Sequence, residues 1–446
     1  MDSARRPPGP TSHPLVGNLP EISRDPLGFL TRCAREYGDV VRLRLAHIPV
    51  FLLSHPDHIK YVLVTNSSNF IKDKGLRMRS MQRLFGNGLL TSHGEFWLRQ
   101  RRLAQPAFHR RHIAAYGQVM SEQTERMLAS WQEGEVRDIH QEMMRLTLDI
   151  ATRTLFGADI GDRLEKAGAA LDVITKRLVV QGGIFKFLSK FLPSPGRVRY
   201  LRAVRQLDEI IYAIIHERRA RAREDSSLLS MLLHAQDEDG GRMTDQQLRD
   251  EVMTMFLAGH ETTALALSWT WYLLARHPAA EAKLAEELER VLCGRAPHAD
   301  DLPRLTYTEM VIRESMRLYP PAWSVGREAL HDCEVGGYEV ARGTQVIISQ
   351  WVMHRDPRFF ESPEAFIPER WADDTTKRLP EFVYFPFGGG PRLCIGNAFA
   401  KMESVLLLAA IARGHRLLLV NNDAVAPAPS ITLRPSDAVR VVVKRR

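Results

Sequence analysis

Phe387-Gly388-Gly389-Gly390-Pro391-Arg392-Leu393-Cys394-Ile395-Gly396 places one cysteine in a glycine-rich loop that opens directly into a helix. The apolar run from Ala398 to Ala412 has helical character. Cys394 therefore lies near a helix N-terminus, where unpaired N–H groups and the helix dipole favour a thiolate. A thiolate is the form of cysteine that ligates haem iron. Glycines at 388, 389, 390 and 396 let the backbone approach a flat ligand closely, and Arg392 is free to pair with a carboxylate. Taken alone, a cysteine beside a Gly-Pro turn is an inert buried residue, so the rest of the chain has to decide.

Composition sets the outer limits. A chain of 446 residues with 44% hydrophobic content can bury a large core. No linker divides it, and the proline-rich stretch lies at the front, from Pro7-Pro8-Gly9-Pro10 to Pro20. That segment is too polar and broken for a signal peptide or membrane anchor, so the expectation is a cytoplasmic, soluble protein without a membrane anchor. Domain organisation is read as a proline-rich segment over 1–20 and a single catalytic domain over 21–446. The cysteines Cys33, Cys293, Cys333 and Cys394 lie far apart, which argues against a zinc ribbon or a disulfide framework. A net charge of +8 raises nucleic acid as a partner. No nucleic-acid motif accompanies the cluster of Arg99, Arg101, Arg102 and His109 to His112, and Arg218, Arg219, Arg221 and Arg223 read as a solvated helix face, so no nucleic acid is expected. Docking of an acidic electron donor is a better functional use for some of the excess charge, with plain solubility an equal alternative.

Helices dominate the pattern, above all between Pro106 and Tyr319. Val40 to Leu45 and Pro49 to Leu53 read as a hairpin turning at His47, Val335 to Val340 with Gln345 to Ser349 as another, and Ser430 to Val443 as a third. The fold class is mostly α with a small β region. Thr244-Asp245-Gln246-Gln247 has capping-box form, and nothing breaks the helix before His277-Pro278. About 32 residues at the usual rise span roughly 48 Å. His260 and Glu261 exclude a membrane span and leave a central buried helix. Inside it, Ala258-Gly259-His260-Glu261-Thr262-Thr263 replaces the expected leucines with small, charged and hydroxylic residues. Gly259 weakens the helix, and the Thr262 hydroxyl can return to the Ala258 carbonyl and open a groove.

The loop spacing F-x-x-G-x-R-x-C-x-G matches the haem-binding signature of the cytochrome P450 family without departure, and the chain resembles that family from its proline-rich start to its end. The resemblance implies that Cys394 is the proximal ligand and metal-binding residue, with Phe387 packed near the sulfur and Gly396 beside the cofactor. It implies that Ala258 borders the distal face, that Thr262 hydrogen-bonds bound oxygen or its water, and that Glu261 relays protons. Trp97 and Arg101, one helical turn apart, together with Arg327 and Arg392, would meet the haem propionates. Glu314 and Arg317, joined by Arg370 of Pro368-Glu369-Arg370-Trp371, would form a scaffold network that holds the cysteine loop.

Resemblance also implies the cytochrome P450 fold, with haem b between the long helix and the cysteine loop. Its activity would be a monooxygenase reaction using O2 and NAD(P)H-derived electrons. A ferredoxin or flavodoxin with its reductase would deliver those electrons to a monomer. The family's pocket would draw on residues from Gly75 to Thr91, Met255 to Thr262, Ala322 to Val325 and Ser430 to Leu433, with Phe185, Phe187 and Phe191 over the entrance. Most are apolar, which suits a lipophilic small molecule: a fatty acid, terpenoid or polyketide. Arg77 and Arg79 are expected in solvent. A haem-thiolate sensor would have no need of Glu261 and Thr262, and a peroxide-driven or isomerising relative would lack that pair.

Overall fold

The computed structural model describes residues 6–157, 163–178, 195–220, 227–237, 240–374, 378–421 and 423–446. Phe185, Phe187, Phe191, Arg221 and Arg223 lie outside them. The elements that position the site are helices α1 (Gly94–Ala104), α2 (Ile139–Leu155), α3 (Asp245–Arg276), α4 (Thr306–Leu318) and α5 (Asn397–Gly414). With them stand strands β1 (Val40–Leu45), β2 (Ile48–Leu53), β3 (Phe70–Lys72), β4 (Val325–Ala329), β5 (Gln345–Ile348), β6 (Pro427–Pro429) and β7 (Leu433–Pro435).

Helix α3 is 32 residues long, as its caps require. The Gln247 N–H donates to Thr244 Oγ1 at 3.2 Å, and the Thr244 N–H donates to Gln247 Oε1 at 2.9 Å. Its C-terminus falls at His277, where Pro278 starts the next helix. The helix packs along α2, α4 and α5 and carries apolar residues on every side, so that Phe256, Leu265 and Trp269 are fully buried. Gly259 has a packing reason as well: a Cβ there would meet the Leu155 side chain of α2 at 3.3 Å.

One sheet has the order β1-β2-β5-β4-β3, with β2 and β5 parallel and the other pairs antiparallel. The β1–β2 hairpin is as expected, with Ala46 in the left-handed region at φ 54. Two other hairpins are corrected. Cys333–Val335 pairs with Tyr338–Val340 across a Gly336-Gly337 turn, whereas Gln345–Ile348 joins the larger sheet. Similarly, β7 pairs with β6, while Arg440–Arg445 pairs with His415–Leu419 and Val136–Asp138. Proximity along the chain suggested the wrong partners, because these short strands are matched by long-range packing.

Glu314 and Arg317 on α4 are both wholly buried and make two contacts of 2.8 Å. Glu314 also accepts from Trp371 Nε1 at 2.9 Å and lies 3.4 Å from Arg370 Nε. Arg317 donates to the carbonyls of His354 (2.9 Å), Pro363 (2.5 Å) and Ala365 (2.9 Å). His354 carries the connection onward, since its Nε2 accepts from the Phe385 N–H at 3.0 Å, two residues before the cysteine loop. Burial and the neighbouring Arg317 and Arg355 hold His354 well below the ordinary histidine range, so it stays neutral and can accept. Every polar group of the pair has a partner, which makes it a rigid clamp rather than a surface ion pair.

Candidate active site

Cys394 lies in the loop just before α5, whose N-cap is Gly396. Its N–H donates to the Phe387 carbonyl at 3.1 Å, and its carbonyl accepts from Asn397 Nδ2 at 2.9 Å. This closes the loop and leaves the residue open on one side, although the protein packed around the sulfur still desolvates it. Burial pushes the thiol above its ordinary value, while the Gly396 N–H and the Arg101 guanidinium pull it down. The loop glycines have distinct reasons. Gly390 has φ +64 and would press a Cβ into the Leu63 carbonyl, and a Cβ on Gly389 would enter the Phe382 ring. At Gly396 the nearest atom, on Phe108, would be 3.7 Å away, so protein packing does not require glycine there.

A group of cations converges beside this loop. Arg101 on α1 donates to the Leu393 carbonyl at 3.0 Å. Arg392 lies with its guanidinium carbon 3.8 Å from the centre of the Trp97 ring, and its Nη1 is buried with no partner. Arg327 on β4 is buried and bonds its own strand at Gly326. Lys72 stands directly opposite it on β3. Burial lowers all three, and repulsion from neighbouring arginines adds to it at Lys72 and Arg392: Lys72 to about 7, Arg392 to about 9 and Arg327 to about 10. Asp73 opposes the shift at Lys72 and Arg327 only in part. Such a cluster is matched to an anion with more than one negative charge. The residues here fit the two carboxylates of a haem beside a cysteine sulfur. Sequence reasoning missed Lys72, which sits in the three-residue strand Phe70–Lys72 with no local motif.

Between Leu248 and Leu274, α3 is open at one place only. Ala258 is exposed and Gly259 and Thr262 are half-buried, between turns that are otherwise closed. Thr262 Oγ1 donates to the Ala258 carbonyl at 2.8 Å, as its spacing predicts. The helix nevertheless continues through this stretch, so the opening is a face of small residues rather than a break. Glu261 points elsewhere. Its Oε1 accepts from Thr432 Oγ1 at 2.5 Å and from Arg434 of β7 at 2.9 Å, and its side chain is 8% exposed. Arg434 was invisible to sequence reasoning. Arg77 is also not free in solvent: it pairs with Glu328, while Arg79 is exposed. The basic cluster of the sequence does not form one patch either, for Arg99 pairs with Asp237 at 2.7 Å and Arg101 turns to the cysteine loop.

No described helix is long and apolar enough to cross a membrane. The family model for Cytochrome P450 matches residues 7–438. The chain is 39% identical to cyclooctatin synthase of Streptomyces melanosporofaciens, over 95% of this chain and 92% of that one. It is 37% identical to cyclooctat-9-en-7-ol 5-monooxygenase of the same organism, over 95% and 90%. The crystal structure of the cytochrome P450DA haem domain superposes with a TM-score of 0.89 at 28% identity, covering 99% of this chain and 98% of that one. Membership brings haem and O2 as the cofactor and co-substrate, and the resemblance read from the cysteine loop holds for fold and chemistry alike. The chain belongs to the cytochrome P450 family and is a haem-thiolate monooxygenase.

Proposed function

We propose that the chain hydroxylates a cyclic terpenoid, with Cys394 as the iron ligand and Lys72, Arg101, Arg327 and Arg392 around the haem carboxylates. The single observation that carries the site is the convergence of an accessible cysteine sulfur with buried, under-neutralised cations. Trp97 positions Arg392 through its ring face. The substrate class is supported by the terpenoid-modifying relatives, one of which is named for oxidising an alcohol. It is also supported by the apolar Met255, one turn before the opening of α3, and by Leu76, Leu89 and Leu90, which pack against the same core.

Bound haem supplies the oxygen-activating chemistry. The protein's own residues exclude water, orient the substrate and move protons. Ala258 and Gly259 keep the α3 face low, so that a flat cofactor and a substrate can both lie against it. The Thr262 hydroxyl, held by the Ala258 carbonyl, offers its oxygen as an acceptor at that face. Glu261 reaches the face only after leaving Thr432 and Arg434, so its part in proton delivery requires that contact to open. The Gly396 N–H lies beside the sulfur, and the Phe387 carbonyl holds the Cys394 N–H. Residues 21–446 act as one catalytic domain, with residues 6–20 tied to β1 through the bond from the Arg42 N–H to the Pro8 carbonyl.

Electrons from NAD(P)H would arrive through a ferredoxin or flavodoxin with its reductase, docking on a cytoplasmic monomer. A cavity of about 600 Å³ behind the cysteine loop supports this through Lys401, which, with Arg313 paired to Glu309 at 2.7 Å and with Glu381, edges an apolar floor that includes Ile312, Met316 and Phe387. Lys401 lies over the Phe387 ring and is lowered by burial and by Arg313, so an acidic partner would relieve it.

The test is spectroscopic. Reduced protein under carbon monoxide is expected to show the strongly red-shifted Soret band of thiolate ligation, and Cys394→Ser is expected to lose it. Replacement of Cys33, Cys293 or Cys333 should leave it unchanged. A band that survives Cys394→Ser removes the ligand assignment.

A further inference from the structure

Glu251 is a buried carboxyl for which the chemistry above has no use. It is 1% exposed, and on α3 it occupies the face that carries Met255, Ala258 and Thr262, at the spacings i+4, i+7 and i+11. At the usual rise it stands about 10 Å along the helix from Ala258. Its Oε2 accepts from the Leu89 N–H at 3.1 Å, while its Oε1 is buried without a partner. Among the described residues no cation pairs with it: the neighbouring Arg249 is committed to Asp208 and Asp250, and Asp250 in turn accepts from the Asn87 N–H. Burial and Asp250 push Glu251 up to about 8, which makes it a neutral acid with an O–H to donate. A buried oxygen left unpaired destabilises the fold and calls for an explanation. Anchoring Leu89 occupies only one of the two oxygens.

We infer that Glu251 is a specificity residue that hydrogen-bonds an oxygen already present on the substrate, roughly 10 Å from the carbon presented at Ala258. The ligand class is a cyclic terpenoid alcohol rather than the parent hydrocarbon, which places this enzyme after a reaction that installs the first oxygen. The inference rests on the terpenoid reading above and sharpens it. The loop carrying Leu89 covers the carboxyl, so the ligand reaches Oε1 by shifting that loop. A neutral acid suits a hydroxyl, since it both donates and accepts without needing a countercharge.

The haem-loaded full chain is titrated with cyclic sesquiterpene and diterpene alcohols and with the matching hydrocarbons that lack only the hydroxyl. Kd is read from the Soret shift, and the rise in Tm is read by calorimetry. Wild type is expected to bind at least one alcohol about tenfold more tightly than its hydrocarbon. Glu251→Leu and Glu251→Met are expected to abolish that preference while hydrocarbon Kd changes less than threefold, roughly the level of a surface contact. Equal weakening of alcohol and hydrocarbon would show that Glu251 only anchors the loop, and would overturn the inference. Absence of any hydroxyl preference in wild type would overturn it too, even if neither variant folds. Failure to bind any terpenoid, with the thiolate spectrum intact, would sink the terpenoid reading and the inference with it.

Discussion

Thr262 and Glu261 are neighbours in sequence with opposite surroundings. Thr262 faces the open side of α3, and its hydroxyl is already satisfied by the Ala258 carbonyl. Thr262→Ala therefore removes an oxygen at the site without leaving a buried group unpaired, and haem content and ligand-induced spectral shifts are expected to survive. Product formed per electron pair should fall sharply, with hydrogen peroxide rising in its place. Measuring product, peroxide and nicotinamide oxidation together checks this, and wild-type coupling in the variant would transfer the proton role to another group. Glu261 behaves differently because Arg434 and Thr432 hold it.

At the scale of elements, the α4 clamp carries the cysteine loop. Glu314 and Arg317 are fully buried, and removing either partner leaves a charge with no water to solvate it, at about 3–5 kcal/mol. Glu314→Ala and Arg317→Ala are each expected to lower stability by that order and to yield protein that fails to retain haem. Denaturant unfolding and the haem-to-protein absorbance ratio check both effects. Normal retention would mean that the His354 to Phe385 connection is dispensable.

For the whole molecule, buried titratable groups shape the dependence of stability on pH. Glu251 and Glu403 are raised to about 8 by burial, so between roughly pH 4.5 and 8 the folded chain holds protons that the unfolded chain has released. These two acids make stability fall as pH rises through that window. His140, His260 and His354 are lowered by burial, so below about pH 6.5 the unfolded chain takes up protons that the folded chain refuses. Those three make stability rise with pH up to that point. Together they place an optimum near pH 6.5, with a decline towards pH 8. Tm measured across pH 5 to 9 checks this. Glu403→Gln should flatten the alkaline limb, and an unchanged limb would remove Glu403 from the account.

What the sequence determined by itself was local chemistry: the caps of α3, the small-residue face at 258–262, the glycine loop around Cys394 and the i,i+3 pair on α4. Each is written within a few residues, because helix caps, tight turns and helical spacing act over that range. Tertiary structure alone decided which distant groups meet. Glu261 was read as free to relay protons, but Arg434 lies 173 positions away and reaches it only when β7 folds against α3. Lys72 gained its place because β3 pairs with β4 beside Arg327, and the later hairpins were misassigned for the same reason. Short strands carry too little pattern to name their partners, so burial of the whole sheet selects them. The charge on Lys72, the direction of Glu261 and the unpaired oxygen of Glu251 are products of that packing, which strips water from groups whose local sequence says nothing of it.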